Sequence, residues 1–323
     1  NPPAVRASRA QRRGGTGVTG MATREASGVE GEAGAFIEPL FTASTHDYLM
    51  FFTNTGRVYV ERVHEIPDMG RAARGRSIAN LLELRPDEKI AALIRVQSRT
   101  GPAREDLTWQ QPGFLFFATR GGTVKKTALA DFANVRQGGI IAIGIEPGDL
   151  LIDVKLTTGA DGMVLSTRGG MSIRFPEEQV RSMGRPAAGV KGTELAADDA
   201  VVALAVVNPR ATLLVAGDNG IGKRTAFDEY RVQSRGGKGI ITMKTTDKTG
   251  GVVGALSVQE QDELMLITTG GQMVRIPLAG GRGAGRNTPG VKLVTLDKGD
   301  RLQAIAPVIS EGQEEAAGGE VPA

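Results

Sequence analysis

Residues 114–126 read Phe114-Leu-Phe-Phe-Ala-Thr-Arg-Gly-Gly122-Thr-Val-Lys-Lys126: an apolar run, a polar turn ending in glycine, then a second run carrying cations. Two extended segments joined by so short a turn predict a β-hairpin, because glycine supplies the positive φ that tight turns demand. The pattern recurs in Tyr48-Leu-Met-Phe-Phe-Thr-Asn-Thr-Gly56-Arg-Val-Tyr59, Met163-Val-Leu-Ser-Thr-Arg-Gly-Gly170-Met-Ser-Ile-Arg174, Leu213-Leu-Val-Ala-Gly-Asp-Asn-Gly220-Ile-Gly-Lys-Arg224 and Leu264-Met-Leu-Ile-Thr-Thr-Gly-Gly271-Gln-Met-Val-Arg275. The turn glycines are 66, 48, 50 and 51 residues apart, the longest step absorbing an insertion at 97–112.

A second motif follows the hairpins: an arginine, a glycine four residues later, then a short apolar strand. Arg185 with Gly189, Arg235 with Gly239 and Arg286 with Gly290 fit it, as does Arg13 with Gly17 near the start; Arg136 ahead of Gly138 and Gly139 is a shifted copy, and Arg74 is a looser one with Ile78 four places on. Each unit then closes on an apolar strand after an acidic turn, as in Gly148-Asp149-Leu-Leu-Ile and Gly299-Asp300-Arg-Leu-Gln. A period of about 50 residues with four strands per unit is the size of a propeller blade. Six arginine–glycine motifs against five hairpins predict an all-β, six-bladed, propeller-like ring with about four strands per blade. Residues 11–43 carry the motif without a preceding hairpin, so they are expected to close the ring against the last blade, or to leave an open spiral if they do not.

Composition agrees with this. Forty-five glycines and 15 prolines in 323 residues exceed what a helical protein tolerates, and 40% hydrophobic residues suffice for a core. There is no cysteine, hence no disulfide framework or thiolate metal site, and only two histidines, His46 and His64. With no apolar run long enough for a membrane span and no signal peptide, a soluble, cytoplasmic protein is expected. The chain opens at Asn1 in a linker-like stretch (1–10), as a piece of a longer polypeptide would, and ends in an acidic, disordered tail (310–323); residues 11–309 form the folded body. The net charge is +3, or +7 for residues 1–309, a moderate pull toward polyanions. Aromatics make up only 4% of the chain, too few for a platform that stacks single strands.

Enzyme-like motifs dissolve on inspection. Gly217-Asp-Asn-Gly-Ile-Gly222-Lys223-Arg224-Thr225 resembles a phosphate loop, but Arg224 occupies the place where magnesium needs Ser or Thr, and the segment is in register with the other hairpin turns. The third glycine of Gly280-Gly-Arg-Gly-Ala-Gly285 is displaced from a dinucleotide fingerprint, and no βαβ unit surrounds it. His46-Asp47 has no nucleophile partner and reads as a surface turn, and Asp198-Asp199 as a solvated acidic turn.

The recurring cations are more telling. A ring places equivalent positions of every blade around one rim, so Arg13, Arg74, Arg136, Arg185, Arg235 and Arg286 would form a belt, with Arg12, Arg76, Lys191 and Lys238 beside it. The hairpin set Arg57, Lys125, Lys126, Arg174, Lys223, Arg224 and Arg275 would form a second row or broaden the first. Such a stripe suits the phosphates of a bent duplex. The alternative is that each motif arginine ties a strand end by hydrogen-bonding carbonyls. No helix shaped for the major groove is evident, so binding would depend on charge and DNA bendability rather than on base edges.

Gln11-Arg12-Arg13-Gly14-Gly15-Thr16-Gly17 closely resembles the heptapeptide box Gln-Arg-Arg-Gly-Gly-Lys-Gly of the C-terminal domain of the DNA gyrase A protein, departing only at Thr16, where the family has lysine. Gln233-Ser-Arg-Gly-Gly-Lys-Gly239 is a near-copy, and the resemblance continues through Ala73-Arg-Gly-Arg-Ser-Ile-Ala-Asn-Leu-Leu82, Gly122-Thr-Val-Lys-Lys-Thr127 and Gly285-Arg-Asn-Thr-Pro-Gly-Val291. The resemblance implies a β-pinwheel that wraps double-stranded DNA about its perimeter, the box completing the wrap, so that the holoenzyme introduces negative supercoils. It further implies a bacterial, nucleoid-associated setting. The partners would be the N-terminal cleavage domain of the same polypeptide and the gyrase ATPase subunit in an A2B2 holoenzyme, with the isolated domain monomeric and away from membranes. The catalytic tyrosine and ATPase would lie outside this chain, leaving it no catalysis and no cofactor of its own. The box argues against the related topoisomerase IV domain; a protein-docking propeller is the reading from another class.

Overall fold

A computed structural model of the chain describes residues 18–19, 46–66, 82–135, 138–278 and 285–308. It contains five four-stranded antiparallel sheets, each built on one of the expected hairpins. The first hairpin is Tyr48–Thr53 with Arg57–Arg62, the second Phe114–Thr119 with Thr123–Ala128, and the third Gly162–Thr167 with Met171–Pro176. The fourth is Thr212–Gly217 with Ile221–Ala226 and the fifth Glu263–Thr268 with Gln272–Pro277. The five tip glycines Gly56, Gly122, Gly170, Gly220 and Gly271 all have φ between +81° and +88°, the left-handed region where a side chain is strained.

Each hairpin's first strand pairs with a long strand that follows it in sequence: Ile90–Val96, Leu151–Thr157, Val201–Val206, Val252–Val258 and Leu302–Val308. These five strands contact one another in succession and so form the inner part of the arc. The fourth strand of each sheet is two residues long and comes from the neighbouring unit. Ile140–Ile141 pairs with the first hairpin, Val190–Lys191 with the second, Ile240–Ile241 with the third and Val291–Lys292 with the fourth. The fifth hairpin receives Val18–Thr19 from the opposite end of the chain. The two-residue strands, farthest from the inner strands, make up the rim.

The sheets stack face to face. One apolar cluster, around Phe52, Phe117 and Phe132, joins the first and second sheets; others join the second to the third (Phe116, Phe175, Leu165), the third to the fourth (Leu213, Tyr230, Val215) and the fourth to the fifth (Leu214, Leu266, Ile276). Both faces of a hairpin are therefore covered, and its strands are buried on alternate and intervening positions alike. Smaller apolar clusters occupy the far faces of the two end sheets, Leu49, Phe51 and Tyr59 on the first and Met265, Ile267 and Val308 on the fifth.

Six blades were expected and five sheets are found among the described residues. The sixth repeat expected at the start of the chain falls almost entirely outside the described residues. Of the opening stretch 11–43, Val18–Thr19 pairs with the fifth sheet and the rest lies outside the described residues. The insertion at 97–112 folds onto the first sheet through Trp109, whose ring lies 5.2 Å from that of Tyr48, and through Asp106, which accepts a 2.7 Å hydrogen bond from the Tyr48 hydroxyl.

Candidate nucleic-acid interface

Every rim strand from Val190–Lys191 to Val291–Lys292 is entered through an arginine–glycine turn, and the geometry explains both residues. Gly189, Gly239 and Gly290 have φ of +100°, +76° and +88°, and a Cβ on them would collide with the carbonyl oxygens of Val124, Ser172 and Gly222 in the hairpin of the preceding sheet. The arginine reaches along the rim. Arg185 donates to the carbonyl of Ile141 at 3.2 Å, Arg235 to that of Lys191 at 3.0 Å and Arg286 to that of Ile241 at 3.0 Å. Each acceptor is the last residue of the neighbouring rim strand, so the arginines latch consecutive blades together at their outer edge. These side chains are only half buried, and a guanidinium has five N–H donors, so the latch leaves donors facing solvent.

The connector before each latch completes the same edge. Ser182 and Val232 bridge in parallel to Lys126 and Arg174 of the preceding hairpin, and the N–H groups of Met183 and Gln233 donate to Lys126 and Arg174 carbonyls at 2.8 Å. Arg181 and Arg231 are exposed on these connectors; Lys191, Lys238 and Lys292 are exposed on or beside the rim strands. Lys191 forms an ion pair with the exposed Glu194 at 3.8 Å. Arg181, Arg231 and Lys292 escaped the sequence reading. Lys292 could have been found from Val291-Lys292 repeating Val190-Lys191 directly after each motif glycine.

The expected second row is not an exposed row, and this corrects the reading of the hairpin cations. Lys125 is 0% exposed; its Nζ donates to the carbonyls of Ala142, at 2.6 Å, and of the latch residue Arg185. Lys223 is buried in the equivalent place and donates to Gly285, at 2.8 Å, and to the latch residue Arg286. Burial, with the Arg185 charge nearby, pulls Lys125 down to about 7; burial likewise pulls Lys223 down to about 8. Lys126 is buried against Glu177, 3.7 Å away, and Arg224 against Glu260 at 3.8 Å. Arg275 pairs with Glu263, and Arg174 donates to the Phe227 carbonyl at 2.9 Å. Arg57 lies 3.1 Å from the buried Glu88. Burial alone would push Glu88 up, but the Tyr59 hydroxyl, the Arg85 N–H and Arg57 together hold it below the usual carboxylate range. Because the sheets are covered on both faces, alternation along a hairpin does not by itself carry a cation to solvent; Arg62, at the strand end away from the tip, is more exposed.

Arg12, Arg13, Arg74, Arg76 and Arg136 lie outside the described residues, as do all of 11–17, the 1–10 stretch and the 310–323 tail. The rejected chemistry has structural explanations. Lys223 and Arg224 sit in a buried strand rather than at a helix N-terminus. Asp47 is not a surface turn residue: it is buried, accepting from Arg95 Nε at 2.8 Å and the Ser98 N–H at 2.9 Å. Asp199 accepts from the N–H groups of Gly169 and Ala200, both at 2.8 Å, and so fixes a hairpin tip; Asp149 and Asp300 do the same for Gly121 and Gly270. Among the described residues no group of three His, Cys, Asp or Glu could hold a metal, and no helix is long and apolar enough to cross a membrane.

The family model for the DNA gyrase C-terminal domain, a β-propeller, matches residues 9–28, 47–97, 113–158, 163–208, 211–259 and 262–309. The A protein of DNA gyrase from Mycolicibacterium smegmatis is 42% identical over 300 residues, covering 92% of this chain and 34% of that protein. The A protein of DNA gyrase from Salmonella typhimurium is 40% identical over 315 residues, covering 97% of this chain and 34% of that protein. The chain thus spans about a third of the length of the curated relatives it matches. Among solved structures, the C-terminal domain of DNA topoisomerase IV superposes with a TM-score of 0.72 at 27% identity, over 82% of this chain and 80% of that one. A DNA gyrase A C-terminal domain superposes with 0.74 at 23% identity, over 94% and 93%, which bears on the fold. By the extent of the family match and the identity to its members, this chain belongs to the DNA gyrase C-terminal domain family of β-propellers.

Proposed function

We propose that the chain binds double-stranded DNA along its rim and wraps it, largely without regard to sequence, without catalysing a reaction itself. The observation that carries this is the repeated outer edge of the second to fourth sheets. There, exposed Arg181, Lys191, Arg231, Lys238 and Lys292 alternate with the half-exposed latches Arg185, Arg235 and Arg286. Bending 20–30 bp by 40–90° costs roughly 1–6 kcal/mol, so many modest phosphate contacts spread along a curved edge are what wrapping needs. In the full protein, the wrap would present a crossed segment to the cleavage region of the same polypeptide, with the ATPase subunit driving strand passage toward negative supercoiling in a bacterial A2B2 assembly.

The ring would hold six blades; the six stretches matched by the family model support this count. The resemblance of residues 11–17 to the gyrase box favours this role over that of the topoisomerase IV domain.

The test is to ligate nicked circles in the presence of the chain and read the linking number, alongside binding to duplexes of increasing length. Wrapping gives a shift of definite sign and an affinity that rises until the duplex circles the rim. A chain that leaves linking number unchanged and binds all lengths alike is a docking scaffold or a simple binder. Arg235→Ala is expected to weaken binding to all sequences equally.

A further inference from the structure

Four of the five large apolar side chains exposed among the described residues lie on this same outer edge: Ile141 (51% exposed), Ile241 (42%), Val291 (56%) and Val232 (61%). Single exposed apolar residues are ordinary; a set gathered on one strip is not, and Ile141 and Ile241 occupy the same place in different units. The last residue of successive rim strands is Ile141, Lys191, Ile241 and Lys292, so aliphatic and cationic posts alternate from blade to blade. The preceding residues Ile140, Val190 and Ile240 pack against the cores, whereas Ile141 and Ile241 belong to none of the apolar clusters. Each is flanked by a guanidinium, since Arg185 and Arg286 bond to the carbonyls of Ile141 and Ile241.

We propose that Ile141 and Ile241 are DNA-bending contacts: their side chains press on the sugars and groove floor of the duplex where its minor groove faces the rim, while Lys191 and Lys292 take phosphates on either side. This rests on the wrapping reading and deepens it. The surrounding cations fit a duplex as occupant, and aliphatic side chains set against base steps between arginine and lysine contacts are a recurring way of bending DNA. In the closed curve of a wrap, such contacts are made only once the duplex bends onto the rim. They therefore act on bending rather than on first encounter.

The experiment compares the unaltered 323-residue chain with Ile141→Ser/Ile241→Ser and with Ile141→Lys/Ile241→Lys, by linking-number shift on nicked circles and by salt-dependent binding to a short duplex. Because both side chains are about half exposed, thermal melts of the variants should match the parent. The serine pair is expected to keep the short-duplex salt slope, since no phosphate contact is lost. Its affinity for long DNA should fall about tenfold to a hundredfold, and its linking-number shift by half or more. The lysine pair should bind the short duplex more tightly yet bend long DNA less. Serine variants that shift linking number like the parent, or lysine variants that bend DNA better, overturn the proposal and leave the wrapping reading intact. A parent chain that produces no shift overturns both. If the serine pair instead abolishes self-association of the free chain, the strip faces a second copy and the proposal fails.

Discussion

Lys125 and Lys191 lie on adjacent strands of the same sheet, and the contrast between them separates what holds the propeller together from what faces outward. Lys125 is enclosed between two blades, its ammonium on the carbonyls of Ala142 and Arg185. Lys191 ends the rim strand and is exposed, its ion-pair partner a solvated glutamate. The difference is one of depth in the sheet. Interior strands are covered on two faces and by two neighbours, so a cation there must satisfy internal acceptors; the rim strand has an open flank.

The sharpest way to break this contrast is Lys125→Ala, which leaves two carbonyls without their donor and opens a cavity. We expect a loss of about 3 kcal/mol or more in urea unfolding, with DNA affinity of the folded fraction unchanged. A stable Lys125→Ala variant with weakened DNA binding would reverse the assignment of roles.

Next in size is the pH response. Lys125 titrates near 7 and Lys223 near 8 in the folded chain, both below the 10.5 of a free lysine. Between those values and 10.5 the unfolded chain binds more protons than the folded one, so stability should rise with pH across that window. Both carbonyl contacts survive deprotonation, because a neutral amine still has two N–H donors. Lys125→Met should flatten the rise in urea midpoints measured from about pH 7 to about pH 10; an unchanged profile would show that the ammonium is not strained by burial.

Arg185→Ala should show the intermediate behaviour of a latch. It is expected to lose about 1 kcal/mol of stability through the bond to Ile141 and also to weaken DNA binding. The smallest structural effect belongs to Lys191→Ala with Lys292→Ala: stability within about 0.5 kcal/mol of the parent, and a log–log salt slope shallower by about 0.9 for each phosphate contact removed.

The hairpins were legible because each needs a local signal, and the tip glycines supply it; all five expected turns are in place. The inner strands were legible from the acidic turns that precede them. That each two-residue rim strand joins its neighbour's sheet was not, since so short a segment carries no periodicity to name its partner. The same gap misled the reading of the site. Lys125, Lys126, Lys223 and Arg224 were placed outward because a ring repeats equivalent positions around one rim, whereas their surroundings depend on the stacking of whole sheets. The motif arginines carried two meanings at once, strand tie and surface charge, and Arg185, Arg235 and Arg286 combine them: one guanidinium bonds a carbonyl and remains half exposed.

The borrowed strand at the fifth sheet has a cost of its own. Among the described residues, Val18–Thr19 alone borders Gln272–Pro277 on its outer side, and those two residues are about 250 positions away in sequence. If they detach, a hydrogen-bonding edge opens whose natural substitute is the matching dipeptide of another molecule. Head-to-tail oligomers joined by traded dipeptides are therefore the misassembly to watch for when a bulky tag fused just ahead of Val18–Thr19 weakens their pairing.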